Sequence, residues 1–321
     1  MKLARYATYA WGVLLYNLMV ILWGAYVRAS GSGAGCGSHW PLCNGEVLPQ
    51  APRVQTLVEF SHRMTTGLAG VLVLGLVIGA FLVFPRGDRV RWGASLALLL
   101  IIVEGLVGAA QVLMGLTADD ASVSRAVIGS IHLANTFVML GAMCLTAWWA
   151  SGGAPLQLRG QALLTSVFAV GLLGVLLVGA SGAVTALGDT LFPSRSLAEG
   201  LQQDFSGASH FLIQLRVIHP ILAVLVGVYS IFAGALAAAR RPSRTTRWFA
   251  RALIAIFVAQ LIVGVANVAL LAPIAVQIFH LFLADLVWLT LVLAAAAALA
   301  ERVPERAPLT ATEPALRPGN F

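Results

Sequence analysis

Charge is scarce in this chain: 321 residues carry 13 acidic and 20 basic side chains, 10% in all. Hydrophobic residues make up 59% and the mean hydropathy is +0.89. A soluble protein of this length could not bury so much apolar surface. Cysteine is rarer still, at three residues. The basic residues are also few at alternate junctions of the sequence. They gather at Lys2 and Arg5, at Arg86, Arg89 and Arg91, at Arg240, Arg241, Arg244, Arg247 and Arg251, and at Arg302, Arg306 and Arg317. The junction near 273 has none. That alternation is the positive-inside pattern of a membrane protein, so the net charge of +7 does not point to nucleic acid.

What is present is a series of long apolar runs. Eight reach the length of about 20 residues that a spanning helix needs: roughly 8–28, 62–84, 93–116, 126–149, 161–187, 211–239, 248–272 and 274–300. The fold class expected is all-α, integral to a bacterial plasma membrane, with both termini cytoplasmic. Segments 29–61, 117–125, 188–210 and the turn around 273 then face outside. The first run is too long for a signal-peptide core and lacks a clear small-residue cleavage site, so a retained helix is expected. Residues 301–321, with Pro304, Pro308, Pro314 and Pro318, read as a disordered cytoplasmic tail.

The runs repeat. Glu104-Gly105-Leu106-Val107-Gly108-Ala109-Ala110-Gln111-Val112 aligns without a gap with Gln260-Leu261-Ile262-Val263-Gly264-Val265-Ala266-Asn267-Val268. Ile131-His132-Leu133 matches Phe279-His280-Leu281, and His62 matches His219. The first and fifth runs both pass through Ala-Ser-Gly, at 29–31 and at 180–182, which reads as a shared helix end. The chain is therefore expected to be two tandem, pseudo-symmetric four-helix bundles, residues 1–150 and 151–300, related by an axis along the membrane normal.

Duplication gives the histidines their meaning. His62, His132, His219 and His280 all fall near the outer start of even-numbered runs, with His62 expected a little shallower than the rest. An unpartnered imidazole in hydrocarbon is costly, so such residues are functional candidates. Ordinary helix–helix hydrogen bonding explains one of them, but four at equivalent repeat positions need a common cause. Each half supplies one imidazole from each of two facing helices, which suits bis-histidine ligation of a haem in the bundle core. His39 and His210 have no repeat counterparts and read as interfacial polar residues.

Cys36 and Cys43 share the first external loop, where an oxidising compartment favours a disulfide. A zinc site with His39 as third ligand competes, but no fourth soft ligand is near. Cys144 reads as a small core residue. Glu59 stands three residues before His62, on one helix face, where it could accept a proton; Arg216 occupies the matching place in the other half. Glu104 is buried mid-helix with neutral Gln260 as its counterpart, and suits proton relay or helix–helix hydrogen bonding alike. Asn135, three residues after His132, suits a hydrogen-bonding partner of that ring, whereas Asp285 is off the face of His280.

The loop Gly31-Ser32-Gly33-Ala34-Gly35-Cys36 to Trp40-Pro41-Leu42-Cys43-Asn44-Gly45, the stretch Glu59-Phe60-Ser61-His62-Arg63, and His132, His219 and His280 together resemble the haem A synthases of the CtaA/Cox15 type, in the bacterial branch that keeps the cysteine pair. The resemblance implies oxidation of the C8 methyl of haem O to a formyl group by successive hydroxylations. It implies that His62 and His132 flank the substrate haem, that His219 and His280 ligate a permanent haem b, and that Glu59 matters for activity. Arg63, Arg125 and Arg216, at outer helix ends, become candidates for the haem propionates or for snorkelling anchors. The partners expected are a haem O synthase that hands over the substrate, an electron donor, and membrane lipid; self-association into a homo-oligomer stays open. Two rival readings use the same histidines: a di-haem b cytochrome that only transfers electrons, and a duplicated transporter with histidine proton relays.

Overall fold

The computed structural model describes residues 2–300, and the expected tail at 301–321 lies outside the described residues. Eight segments are long and apolar enough to cross a membrane, and the chain is an all-helical, multi-pass membrane protein among those residues. The spans are α1 (Lys2–Ala29), α2 (Val54–Val83), α3 (Arg89–Leu113), α4 (Val123–Ala150), α5 (Ala162–Leu191), a sixth in two pieces, α9 (Arg244–Ala269) and α10 (Ile274–Ala300). A short α6 (Leu197–Asp204) lies in the loop that follows α5.

Local chemistry explains where these helices start and break. Asp88, Ser122 and Ser243 cap α3, α4 and α9, each side chain accepting a backbone N–H from the first turn. The sixth span divides into α7 (Phe211–Gln214), a 3-10 turn (Leu215–Val217) and α8 (Ile218–Arg240). Pro220 is the cause, since its ring excludes the amide that would bond to the carbonyl of Arg216. His210 caps α7, accepting the Leu212 N–H at 3.3 Å, and its ring lies against Phe192 and Phe211.

Two boundaries differ from the sequence expectation. Helix α2 begins at Val54, eight residues before the start of the apolar run, so Glu59 to Arg63 lie within the helix. Polar residues hid this start, yet they are the ones that bond to the overlying loop. His62 is consequently as deep as the others: all four histidines fall six to nine residues past the starts of their spans. The Ala-Ser-Gly match is also out of step. Ala29 closes α1 and Gly31 lies beyond it with φ +68°, whereas Gly182 sits inside α5, well before Leu191.

In each half the helices stand at the corners of a square. Helix α1 packs on α2 and α4, and α3 packs on the same two, so α2 and α4 are diagonal. In the second half α5 and α9 likewise flank α8 and α10. The histidine-bearing helices thus face each other across each bundle. The halves join through α1, α4, α5 and α10, and one core cluster runs through both. At its centre Phe137 of α4 stacks on Trp288 of α10, with ring centroids 5.5 Å apart. Gly141 makes room, because a Cβ there would meet Trp288 Nε1 at 3.3 Å. Helices α3 and α9 are peripheral and expose Leu96, Leu99, Ile102, Val258, Ile262 and Val265, as lipid-facing surfaces should.

Lipid is as apolar as the core, so this seam is held by shape more than by hydrophobic transfer. Replacing Phe137 with Ala should leave a cavity worth on the order of 2 kcal/mol, taking about 24 cal/mol per Å3 over roughly 100 Å3. Thermal or denaturant unfolding in detergent measures it; an unchanged midpoint would mean the halves do not depend on the stack.

Candidate cofactor sites

Each of the four histidine rings lies against a glycine on the neighbouring helix. A Cβ built at Gly24 of α1 would stand 2.9 Å from His62 Cε1, one at Gly182 of α5 would stand 3.0 Å from His219 Cε1, and one at Gly264 of α9 would stand 3.0 Å from His280 Cε1. At Gly108 of α3 the same atom would be 3.9 Å from His132 Cε1. Any larger residue at the first three positions would push the ring out of place. Gly108 and Gly264 belong to the gapless repeat; Gly24 and Gly182 are the true counterparts that the Ala-Ser-Gly match concealed. The matching signal was the pair Gly24-Ala25 and Gly182-Ala183, spaced almost as His62 and His219 are.

The second bundle fits a metal held between two imidazoles. The ring centroids of His219 and His280 are 6.3 Å apart. A metal bonded to both at about 2 Å sets the centroids roughly 6 Å apart. The rings are 84° to each other, which such a bond permits, because each ring turns freely about its own metal–nitrogen axis. Ser181 Oγ lies 3.1 Å from His219 Nδ1, so Nε2 is the nitrogen that could serve as a ligand atom. At His280 the side-chain amide of Gln260 is 3.3 Å from Nε2 and must withdraw for that nitrogen to bind. His62, His132 and His280 all keep a buried Nδ1 without a hydrogen bond. In the first bundle His62 and His132 occupy the same diagonal corners.

The disulfide-bearing loop is bolted onto α2. Cys36 and Cys43 are bonded, which removes the zinc alternative. Asn44 and Gly45 both take positive φ, 53° and 84°, and form the tight turn by which Cys43 N–H returns to the carbonyl of Glu46. Gly35 is required because a Cβ there would collide with the backbone of Gln55 and Thr56. Glu59 is only 4% exposed. Its Oε2 accepts the Cys36 N–H at 2.8 Å and its Oε1 accepts from Arg63 Nη2 at 2.5 Å. Arg63 Nη1 then donates to the carbonyls of His39 and Leu42, both at 2.7 Å. Proton abstraction by Glu59, the role expected of it, therefore requires release from these donors.

The other arginines are similarly engaged. Arg125 donates from Nη1 to the carbonyls of Ala118 and Asp120, at 2.6 and 2.7 Å. Arg216 lies 3.0 Å from both Asp189 and Asp204, while its Nη2 is buried without a partner. Arg28, which the sequence reading passed over, crosses the seam. It donates to Ala186 O and Thr190 Oγ1 of α5 at 2.7 and 2.8 Å and to Gln277 Oε1 of α10 at 3.3 Å. Asn135 donates to Glu104 and to the carbonyl of Leu100 and not to His132. Asp285 is fully buried, and neither of its oxygens has a hydrogen-bond partner.

Comparison with known proteins places the chain in a family. The profile of a family named COX15-CtaA, described as cytochrome oxidase assembly protein, matches residues 7–292. Two proteins named protoheme IX farnesyltransferase, from two strains of Thermus thermophilus, are 56% and 55% identical over 296 residues. That alignment covers 92% of this chain and 49% of each relative, so the chain spans about half the length of those curated relatives. A protein named heme A synthase from Alkalihalophilus pseudofirmus is 43% identical over 98 residues, covering 30% of this chain and 33% of that protein.

Changing Glu59 to Gln removes a buried charge from the Arg63 contact and weakens the bond to Cys36, a loss of about 1–3 kcal/mol to loop closure. Hydrogen exchange at the Cys36 amide should quicken markedly. Exchange at the unmodified rate would show that Glu59 does not hold the loop.

Proposed function

The chain belongs to the COX15-CtaA family of cytochrome oxidase assembly proteins, and on that premise we propose that it is a haem A synthase, oxidising the C8 methyl of haem O to a formyl group by successive hydroxylations. The observation that carries this reading is the placement of four histidines at one level, on diagonal helices of two bundles, beside glycines that clear their rings. In this reading His219 and His280 hold a resident haem b, and His62 and His132 flank the substrate haem O. A bound haem supplies the redox chemistry. The protein residues supply the rest. Ser181 orients His219 through Nδ1. Glu59 and Arg63 hold the loop beside the first bundle and shield that site from water. Of the three arginines proposed to meet haem propionates, Arg216 keeps a buried nitrogen without a partner, Arg125 donates to carbonyls from Nη1, and Arg63 has all three nitrogens engaged.

The farnesyltransferase name of the Thermus relatives bears on supply. We assign prenyl transfer to the half of those proteins that this chain does not match, and place the same kind of reaction immediately upstream, in a haem O synthase that hands over its product. The protein would lie in a bacterial plasma membrane with its disulfide end outside, and would draw electrons from a donor still to be identified.

Co-expression with a source of haem O, followed by pigment extraction and chromatography, tests the reading. Haem A should appear; haem b alone, with haem O unconverted, would favour the electron-transferring di-haem cytochrome. Colourless purified protein would leave a transporter. His219→Leu and His280→Leu should each abolish the low-spin b-type spectrum, and its survival in both would remove these residues as ligands.

A further inference from the structure

The charges at the disulfide end do not distinguish the two bundles as strongly as their types suggest. Glu59 is matched by Arg63, and its counterpart Arg216 is matched by Asp189 and Asp204. Both positions are held in ion pairs by their neighbours. The unlike residues that face the histidines lie one level deeper, on α3 and α9.

Glu104 Oε1 stands 3.4 Å from His132 Nδ1, an electrostatic contact that falls short of hydrogen-bond geometry. Two donors from α4 hold that carboxylate: Asn135 Nδ2 reaches Oε2 at 2.5 Å, and Thr136 Oγ1 donates to Oε1. Asn135 is fixed in turn by the Leu100 carbonyl at 3.0 Å, and the one Thr136 hydroxyl proton is shared between Glu104 and the His132 carbonyl at 2.9 Å. The second bundle has none of this. Gln260 replaces Glu104, and the residues placed relative to His280 as Asn135 and Thr136 are to His132 are Leu283 and Ala284. Three positions on two helices therefore change together: an acid with two donors in one half, an amide with two apolar residues in the other. A lone half-buried carboxylate inside a helical bundle is costly, and the two donors offset that cost.

We propose that Glu104 is a positioning residue for His132, resting on the reading that His132 ligates a haem. It holds the ring with Nδ1 toward α3. It also makes this imidazole a stronger electron donor than His280, whose neighbour is neutral. A carboxylate behind a ligating imidazole raises its basicity and stabilises the oxidised metal. The first bundle is thereby built as the more electron-rich of the two sites.

The test uses the full chain in detergent, loaded with haem, and reads two midpoint potentials by optical titration. Glu104→Gln should raise the potential of the His62/His132 site and leave the other unmoved. A tenfold change in the oxidised-to-reduced preference corresponds to about 59 mV for one electron. The reciprocal variant Gln260→Glu should lower the potential of the His219/His280 site. Both potentials unchanged, or both shifted equally, would overturn the proposal. A second measurement needs no haem. Nitrogen NMR of histidine-labelled, haem-free protein should show His132 as a single tautomer protonated at Nδ1, and a mixture in Glu104→Gln. One unaltered pattern in both proteins would also overturn it. If the unmodified chain takes up no haem, the proposed function fails, and the NMR comparison still decides whether Glu104 sets the ring.

Discussion

The structure depends on making room for an imidazole inside a membrane. Helices packed closely enough to hide their backbones leave no space for a ring at right angles to them, and a ring that turns outward meets hydrocarbon. The chain meets both demands by omitting a side chain opposite each ring. Gly24, Gly182 and Gly264 are tight against His62, His219 and His280, so the ring position is set by an absence on the next helix. The square packing follows the same logic. The glycine helices occupy one diagonal and the histidine helices the other, and the space between the rings becomes the centre of each bundle.

The same square of helices occurs twice, and the two halves differ in what surrounds their histidines. The loop with its disulfide sits on α2 alone, anchored by Glu59 and Arg63. Its counterpart between α5 and α7 holds the short helix α6, whose Asp204 engages Arg216 together with Asp189 of α5. The contrast deepens at Glu104 and Gln260, where the same helical position bears an acid in one half and an amide in the other. Two nearly equal sites would duplicate a function; two unlike sites can divide one.

Much of this was legible in the sequence, and the misses have physical causes. The eight spans follow from hydropathy because membrane helices satisfy their own backbone and need only be apolar and long. The histidines follow from their spacing across the repeat. The start of α2 did not follow, because Gln55, Thr56, Glu59, Ser61 and His62 look like loop when read by hydropathy. In the structure Thr56 and Glu59 bond directly to the loop above, and polarity there marks a docked helix end. Ala-Ser-Gly misled because a tripeptide of small residues serves equally as a helix end and as a close helix contact. Side-chain direction was the other gap. Spacing puts Glu59 and His62 on one face, but only the folded loop shows that both oxygens of Glu59 are taken up by Cys36 and Arg63.

The seam between the bundles has a consequence for alignment. Phe137 lies five residues beyond His132 on α4, and Trp288 lies eight beyond His280 on α10. Their stacked rings, seated over Gly141, act as a vernier between two rods. Sliding α10 by one helical turn would carry His280 about 5.4 Å off the level of His132. It would also drive the indole out of its notch and onto the backbone of α4. The common depth of the histidines in the two halves is thus gauged in the middle of the bilayer, by an aromatic pair that touches none of them.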